Sequence, residues 1–320
     1  MAARRAFPDV SLPDLLRLLA LPVFAWVAYQ DLRTRRIDSG VWYPLLALAL
    51  LALLLDVFRM LPADPISQRV YAARVAFSIV LLSLFAGGFW YVGAFGLADA
   101  KAFAVIGVLF PTVPTFRVVG LLLPVVPPLH GTFSLTIITD AVLLGALYPV
   151  ALLVSNGLRG RFAPVMAVGR PVPWDEIHRT HGKLLETPAG WTLSGLDLDA
   201  LRMYLRWRGL TLEELRATPA AFRDPASLPT TFGPPTDGRV RLDGGKSADP
   251  WGAAAFLDAV DGAYGTTPEG LRAGLEVIAA EDEAWVSPGI PFLLVLFLGL
   301  LVALAYGDVL FAGFLAIGVG

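Results

Sequence analysis

Two aspartates stand at the ends of apolar segments, where a charged side chain needs a physical reason. Asp31 ends the first apolar segment of the chain, and Asp99 begins a later one. A charge at membrane depth costs about 2.5–3.5 kcal/mol on insertion scales, so an acidic residue there suggests a function. If the two carboxyl groups meet, they can share a proton, one acting as general base on a water while the other polarises a peptide carbonyl. Asp31 and Asp99 are therefore our candidate catalytic residues.

The residues around Asp99 suit the close approach of a substrate. Gly96 and Ala98 are small and permit a peptide backbone to come near the carboxylate. Lys101 could offset the charge of Asp99 or contact a lipid phosphate, and the sequence leaves both roles open. Asp38 is the one rival for the first catalytic position, although it fits best as the N-cap of the second apolar segment.

The sequence lacks the residues that thiol chemistry, a metal site or nucleic-acid binding would need. The chain has no cysteine, which removes disulfides, thiolate metal ligands and cysteine nucleophiles. His178 and His181 stand three apart and could pair as metal ligands on a helix, but no third ligand is placed near them. We therefore expect no metal and no cofactor. The net charge of −2 gives no support to nucleic-acid binding.

The composition indicates that membrane helices position the candidate residues. Hydrophobic residues make up 56% of the 320 residues and charged residues 16%, against about 45–50% and about 25% in soluble domains. A spanning helix needs about 20 mostly apolar residues. Six segments approach that length: 15–29, 41–57, 71–92, a segment that begins near 100, 135–154 and 290–306.

Residues 118–129 are apolar but contain three prolines. Because proline removes backbone donors from a helix, we expect a re-entrant or surface segment here, or the continuation of a broken fourth helix. The path of the chain through 111–134 stays open at this point.

A polar segment, 156–288, separates the fifth and sixth apolar segments. It holds 18 acidic and 14 basic residues, a net charge of −4. Amphipathic and capping patterns predict helices at 197–208, 211–216 and 267–280. The part 225–252 is rich in Pro, Gly and Asp, which predicts turns with short strands around Val240 and Leu242. About 130 residues suffice for a small α/β domain.

The predicted architecture is an α-helical polytopic membrane protein. It has about six transmembrane helices, with a small α/β cytoplasmic domain inserted before the last span. The predicted domains are a membrane domain with spans one to five (1–155), the soluble insert (156–288), and the last span with the C-terminal tail (289–320).

Basic residues set the predicted orientation, because they collect on the cytoplasmic side of a membrane. Three places near span ends agree on one side: Arg33, Arg35 and Arg36; Lys101; and Arg159 and Arg161. The basic residues Arg4, Arg5 and Arg17 oppose this assignment. With six spans, both termini lie outside, while the insert and the edge that carries Asp31 and Asp99 face the cytoplasm.

The local sequences of the two aspartates resemble one family of membrane proteases. Asp31-Leu-Arg-Thr-Arg-Arg-Ile37 and Gly96-Leu-Ala-Asp-Ala-Lys101 resemble the archaeal prepilin (preflagellin) peptidases, the polytopic aspartic proteases of the Gly-x-Gly-Asp type within the type IV prepilin peptidases. Pro288-Gly-Ile-Pro-Phe292 and Tyr306-Gly-Asp308 are also similar to that family. The family's second glycine is Ala98 here, and the four-cysteine metal domain of bacterial relatives is absent.

The resemblance implies a substrate and a cellular location. Such enzymes remove short basic leaders, the class III signal peptides, from prepilin- or archaellin-like precursors at the cytoplasmic membrane edge, here through Asp31 and Asp99. Precursors and membrane lipid would be the partners of a multi-pass protein of the cell membrane.

Two other classes of protein remain open. A polytopic transporter or channel with a cytosolic regulatory domain would place ionisable residues near the bilayer midplane and contain an internal repeat. The sequence has no such repeat, and its charges collect at one edge. A membrane scaffold whose insert binds partners would tolerate replacement of Gly96 and Asp99.

Overall fold

Helices dominate the computed structural model, which describes residues 11–34, 37–92, 96–129, 131–228, 249–289 and 291–318. By its internal contacts the chain divides into two units, one with residues 1–147 and 290–320 and the other with residues 148–289. We call the first the helical unit and the second the insert unit. The domain limits 1–155, 156–288 and 289–320 stay a proposal.

The helices follow the apolar and amphipathic segments of the sequence. They are α1 (Leu12–Leu18), α2 (Ala20–Thr34), α3 (Trp42–Met60), α4 (Pro65–Tyr91), α5 (Leu97–Leu109), α6 (Phe133–Leu158), α7 (Trp174–Ile177), α8 (Leu198–Arg208), α9 (Leu212–Ala217), α10 (Pro219–Arg223), α11 (Ala253–Ala259), α12 (Pro268–Ala280), α13 (Phe292–Ala305) and α14 (Val309–Ala316). The strands are β1 (Phe116–Val118), β2 (Leu121–Leu123), β3 (Arg170–Pro173), β4 (Lys183–Leu184), β5 (Glu186–Thr187), β6 (Gly190–Trp191) and β7 (Glu283–Ser287). A 3₁₀ turn, Ser39–Val41, leads into α3.

Several helices are long and apolar enough to cross a membrane. Within the described ranges there are four such stretches: Leu12–Thr34, Ser39–Met60, Pro65–Tyr91 and Phe133–Leu158. α5 has 13 residues and α13 has 14, so each rises only about 20 Å, less than the roughly 30 Å of a hydrocarbon core. The structure agrees with a helical membrane protein, while the count of six spans stays a prediction.

The helical unit buries small side chains and exposes large apolar ones. On α3, Ala49 and Ala52 are fully buried, whereas Leu50 and Leu54 are about half exposed. Exposed leucines along a long helix are costly in water and favourable in lipid, where helix contacts use small residues. This pattern supports a lipid environment for α3.

Polar contacts hold α5 between its neighbours. The Ser78 hydroxyl of α4 donates to the carbonyl of Gly107 in α5, at 2.7 Å, and lies 2.7 Å from the Ser134 hydroxyl of α6. A Cβ on Gly107 would stand 3.2 Å from the Ser78 carbonyl oxygen. The glycine therefore permits the close approach of α4 to the last turn of α5.

The proline-containing segment after α5 is a β-hairpin. β1 and β2 pair antiparallel, with Phe116 opposite Leu123, around a turn at Val119 and Gly120 that has positive φ at both residues. A continuation of the fourth helix, one of the two alternatives considered from the sequence, is therefore wrong. Glycine at the turn and proline after the second strand stop helix formation and favour a hairpin.

The insert unit combines small sheets with short helices, as expected for an α/β segment. β7 lies between β3 and β4, antiparallel to both, and β5 pairs with β6. Tyr204, Trp207 and Phe256 pack in its core. Burial raises the pKa of the Tyr204 hydroxyl to about 12, and this hydroxyl donates to the Trp251 carbonyl at 2.6 Å.

The helices predicted for this unit are confirmed. α8 begins after the N-cap Asp197, α9 has the capping box of Thr211 and Glu214, and α12 begins at Pro268 after the N-cap Thr267. The strands predicted around Val240 and Leu242 lie outside the described residues.

Candidate active site

Asp31 lies in the last turn of α2 and contacts the start of another helix. Its Oδ2 atom accepts a hydrogen bond from the backbone N–H of Leu293, at 3.1 Å. Leu293 is the second residue of α13, which begins after Pro291. The first N–H groups of a helix have no partner inside it, and the positive end of the helix dipole stabilises an anion. The Asp31 carboxylate and the start of α13 therefore hold each other in place.

Asp99 lies in the first turn of α5, where it caps its own helix. Its Oδ2 atom accepts the backbone N–H of Gly96, the N-cap residue, at 3.0 Å. A Cβ on residue 96 would lie 3.3 Å from this oxygen, tighter than side chains usually pack. Glycine at 96 therefore leaves room for the half-buried carboxyl group, a local reason for the small residue that the sequence singles out.

The structure brings the two carboxyl groups to the same end of the helical unit. They stand where α2 ends and where α5 and α13 begin. Phe103 of α5 stacks on Phe292 of α13 with 5.6 Å between ring centroids, which ties these two helices together beside the pair. Two carboxyl groups that contact one water can pass a proton between them, which is the chemistry that the sequence suggests for this pair.

Lys101 and Ala98 have contacts of their own. The Nζ atom of Lys101 donates to the hydroxyl of Ser39 at 2.8 Å, which joins α5 to the turn before α3. This hydroxyl contact is neither of the two roles that the sequence leaves open for Lys101. Ala98 is partly buried against the core of the helical unit, so its small size also has a packing reason.

Sequence reasoning missed two participants at this end. Ser39 as the partner of Lys101 and Leu293 as the donor to Asp31 could not be paired from the sequence, since 62 and 262 residues separate the partners. A partial signal exists for α13, because proline before an apolar run marks a helix start. That signal places the start of the helix but says nothing of what lies beside it.

The remaining candidates have local partners. Asp38 accepts the N–H of Gly40 at 2.8 Å and so caps the turn before α3, as predicted. His181 lies 3.3 Å from Asp199 and 2.9 Å from Arg202. Within the described ranges no three His, Asp or Glu side chains are placed to hold a metal ion.

The other paired carboxylates lie at the start of α14. Asp308 caps this helix through the N–H of Phe311, and Asp140 of α6 accepts the N–H of Val309 at 3.1 Å. Both residues therefore have a structural role at the start of α14.

Comparison with known proteins assigns the region that contains Asp31 and Asp99. Residues 18–150 match the type IV leader peptidase family. Neither the comparison with curated proteins nor the comparison with solved structures gave a match. Gly96, Ala98 and Lys101 also lie within the matched region, whereas α13 lies outside it. Residues 18–150 thus belong to the type IV leader peptidases, which are prepilin peptidases of the aspartic type.

Proposed function

We propose that this protein is a membrane-embedded endopeptidase that removes basic leader peptides from prepilin- or archaellin-like precursors. Cleavage would take place at the cytoplasmic membrane edge, through Asp31 and Asp99. The observation that supports the proposal is the placement of both aspartates beside the start of α13: Asp31 accepts the N–H of Leu293, and Asp99 lies one turn before Phe103, which stacks on Phe292. Both aspartates lie within the family-matched region, although they come from different helices.

The proposed reaction is the hydrolysis of one peptide bond. A water held between Asp31 and Asp99 loses a proton to the ionised carboxylate while its oxygen attacks the carbonyl carbon. The protonated carboxyl group gives its proton to the carbonyl oxygen. When the tetrahedral intermediate collapses, the C–N bond breaks and the leaving nitrogen takes the proton from the carboxyl group that accepted it from water. A hydroxyl of the intermediate returns its proton to the other carboxylate, which restores the starting protonation of the pair.

The proposed substrates follow from the family and the position of the pair. A prepilin peptidase acts on prepilin-type precursors, and a precursor whose leader precedes a hydrophobic helix would present its cleavage site at the membrane edge. Small residues beside the pair, Gly96 and Ala98, suit an extended peptide backbone. Class III signal peptides, with their basic leaders, fit this description.

Co-expression with a prepilin-like precursor tests the proposal. Asp31→Asn and Asp99→Asn keep a carbonyl oxygen that can accept the N–H of Leu293 or of Gly96, so both variants should insert and accumulate normally. Neither can take or give the proton, so the precursor should stay uncut. The readout is the ratio of precursor to product on a gel, with membrane levels measured in parallel.

Asp38→Asn is the matched control. Asparagine also caps a turn, and Asp38 is bound only to its own turn in the contacts that the structure gives, so this variant should cleave normally. Full cleavage by a well-expressed Asp99→Asn variant would refute the peptidase mechanism. Loss of cleavage in Asp38→Asn with retention in Asp31→Asn would move the first catalytic position to Asp38.

A further inference from the structure

A polar cavity lies at the end of the helical unit opposite to the aspartate pair. α3 begins beside Ser39, the partner of Lys101, and ends at Met60, which lines the cavity. α4 runs the other way and begins beside the cavity, with Ile66 and Ser67 in its wall. α3 has 19 residues and rises about 28 Å, close to the hydrocarbon thickness of a bilayer. The cavity therefore lies at the depth of lipid head groups when the pair lies at the opposite membrane edge.

The cavity has a volume of about 450 Å³ and an excess of positive charge. Its charged lining residues are Asp14, Arg17, Asp56, Arg59 and Arg74, a formal net charge of +1. Arg17 is 1% exposed, and its guanidinium binds the Leu109 carbonyl, Asp14 and Asp56. Both carboxylates are thus neutralised in part by a buried arginine.

Three donors at the cavity are left with little or nothing to bind. The Tyr71 hydroxyl is buried and has no hydrogen-bond partner among the described residues. Arg74 makes no hydrogen bond or ion pair with any residue in the described ranges, and its guanidinium lies against Gly131, where a Cβ would stand 2.9 Å from it. Arg59 is half exposed and approaches Asp56 only to 3.8 Å. A buried hydroxyl without a partner is destabilising, and an anionic acceptor would satisfy it.

We propose that this cavity binds a phosphate group, and that the phosphate is that of an anionic phospholipid head group. The guanidinium group of arginine donates paired N–H groups that match the geometry of a phosphate. The Tyr71 hydroxyl would be a further donor beside Arg59 and Arg74. The rim favours a lipid over free phosphate, because Ile66 and Val70 line the cavity and are 73% and 45% exposed. A glycerol backbone and acyl chains could pack on these side chains while the phosphate faces the arginines.

The test uses the full chain, purified and reconstituted in vesicles of phosphatidylglycerol and phosphatidylcholine. Native mass spectrometry after gentle detergent extraction counts the lipid that each variant retains. The wild-type protein should keep one phosphatidylglycerol, and Arg74→Gln combined with Arg59→Gln should lower its retention about tenfold or more, as expected for lost charge-assisted hydrogen bonds. Tyr71→Phe removes only a hydroxyl and should lower the retention of phosphatidylglycerol by a smaller factor. This variant is an independent test of the site if the double variant folds poorly.

Arg69→Gln is the matched control, because Arg69 lies on α4 near the cavity but does not line it. Its retention should equal that of the wild-type protein, and elution volume and thermal unfolding should be unchanged in every variant that is scored. Unchanged lipid retention in both the double variant and Tyr71→Phe would overturn the proposed site. If Arg69→Gln lost as much lipid as the double variant, the binding would be a non-specific effect of surface charge, which would also overturn the site.

A lipid-free arm separates the two sources of phosphate. The protein in a neutral detergent is titrated with inorganic phosphate and followed by the same mass measurement. Weak or no binding is expected, because free phosphate gains nothing from Ile66 and Val70. Saturable binding of inorganic phosphate that displaces phosphatidylglycerol would overturn the head-group assignment.

Discussion

At the scale of single residues, Asp31 and Asp99 have structural partners as well as the proposed chemistry. Each accepts a backbone N–H group at the start of a helix, α13 for Asp31 and α5 for Asp99. From the sequence alone, neither residue has an evident structural need to be acidic; the structure shows that both have one. Substitutions must therefore distinguish the role of each side chain as a hydrogen-bond acceptor from its proposed role in proton transfer. Asparagine keeps the acceptor and removes the proton transfer, so it is more informative than alanine at these positions.

The first prediction concerns the dependence of the two aspartates on each other. If they share one water and one proton, removal of either stops the reaction, so the double Asn variant should be little worse than either single variant. Asp99→Glu should also fail or nearly fail, because an extra methylene moves the carboxylate by about an ångström and such displacements can cost roughly 100-fold. Initial rates of precursor cleavage, at matched membrane levels, give the comparison. Single variants that each lose little and a double variant that loses the product of both would show two independent groups.

The second prediction concerns the small residue before Asp99. Ala98→Gly should retain cleavage, whereas Ala98→Leu should lose it, because a branched side chain would block an approaching substrate backbone. Ala98 also packs against the helical core, so overpacking must be distinguished from a block at the site. Unfolding of the purified variants measures the packing cost, and cleavage rates measure the site. Equal rates in Ala98→Gly and Ala98→Leu would mean that no close approach occurs there.

At the scale of the elements, the start of α13 is a part of the site that the sequence did not place. The sequence indicates where this helix begins, since proline precedes an apolar run. Its position against Asp31 depends on long-range packing, including the stacking of Phe103 on Phe292. Local patterns contain no information of this kind.

The third prediction isolates the N–H group of Leu293. Proline is tolerated in the first turn of a helix, where it removes an N–H that the helix itself does not use. Leu293→Pro should therefore remove the donor to Asp31 and lower cleavage about tenfold or more relative to Leu293→Ala. The alanine variant is the control, because it loses the buried side chain, which is 2% exposed, but keeps the N–H. Equal cleavage by the two variants at equal membrane levels would show that this hydrogen bond does not position Asp31.

Much of the remaining architecture can be predicted from local sequence signals, and there is a physical reason where the prediction stays ambiguous. N-caps and amphipathic spacing were enough to predict α8, α9 and α12, because both signals lie within one helix. Residues 118–129 were harder, since an apolar segment with prolines is compatible with a re-entrant segment or a broken helix. The positive φ of Val119 and Gly120 forms the turn of the hairpin. Of these two residues only glycine favours positive φ, so the sequence contains only half of the turn signal.

At the scale of the whole molecule, connectivity links the insert to the aspartate pair. The chain leaves the insert unit at residue 289 and enters α13 at residue 292. The start of α13 contacts Asp31, and so short a connection cannot cross a bilayer of about 30 Å. We therefore predict that the last residues of the insert and the pair lie at the same membrane edge.

The last prediction fixes that edge. Arginines near three span ends favour the cytoplasm for the insert and for the edge with Asp31 and Asp99, and place both termini outside. Reporter fusions after residue 160 and at the C-terminus should therefore report opposite sides, and protease added to intact cells should spare the insert. A fusion at residue 63, in the turn between α3 and α4, is the control for the outer face. Digestion of the insert from outside would reverse the orientation, and by the connection to α13 it would place the pair outside as well.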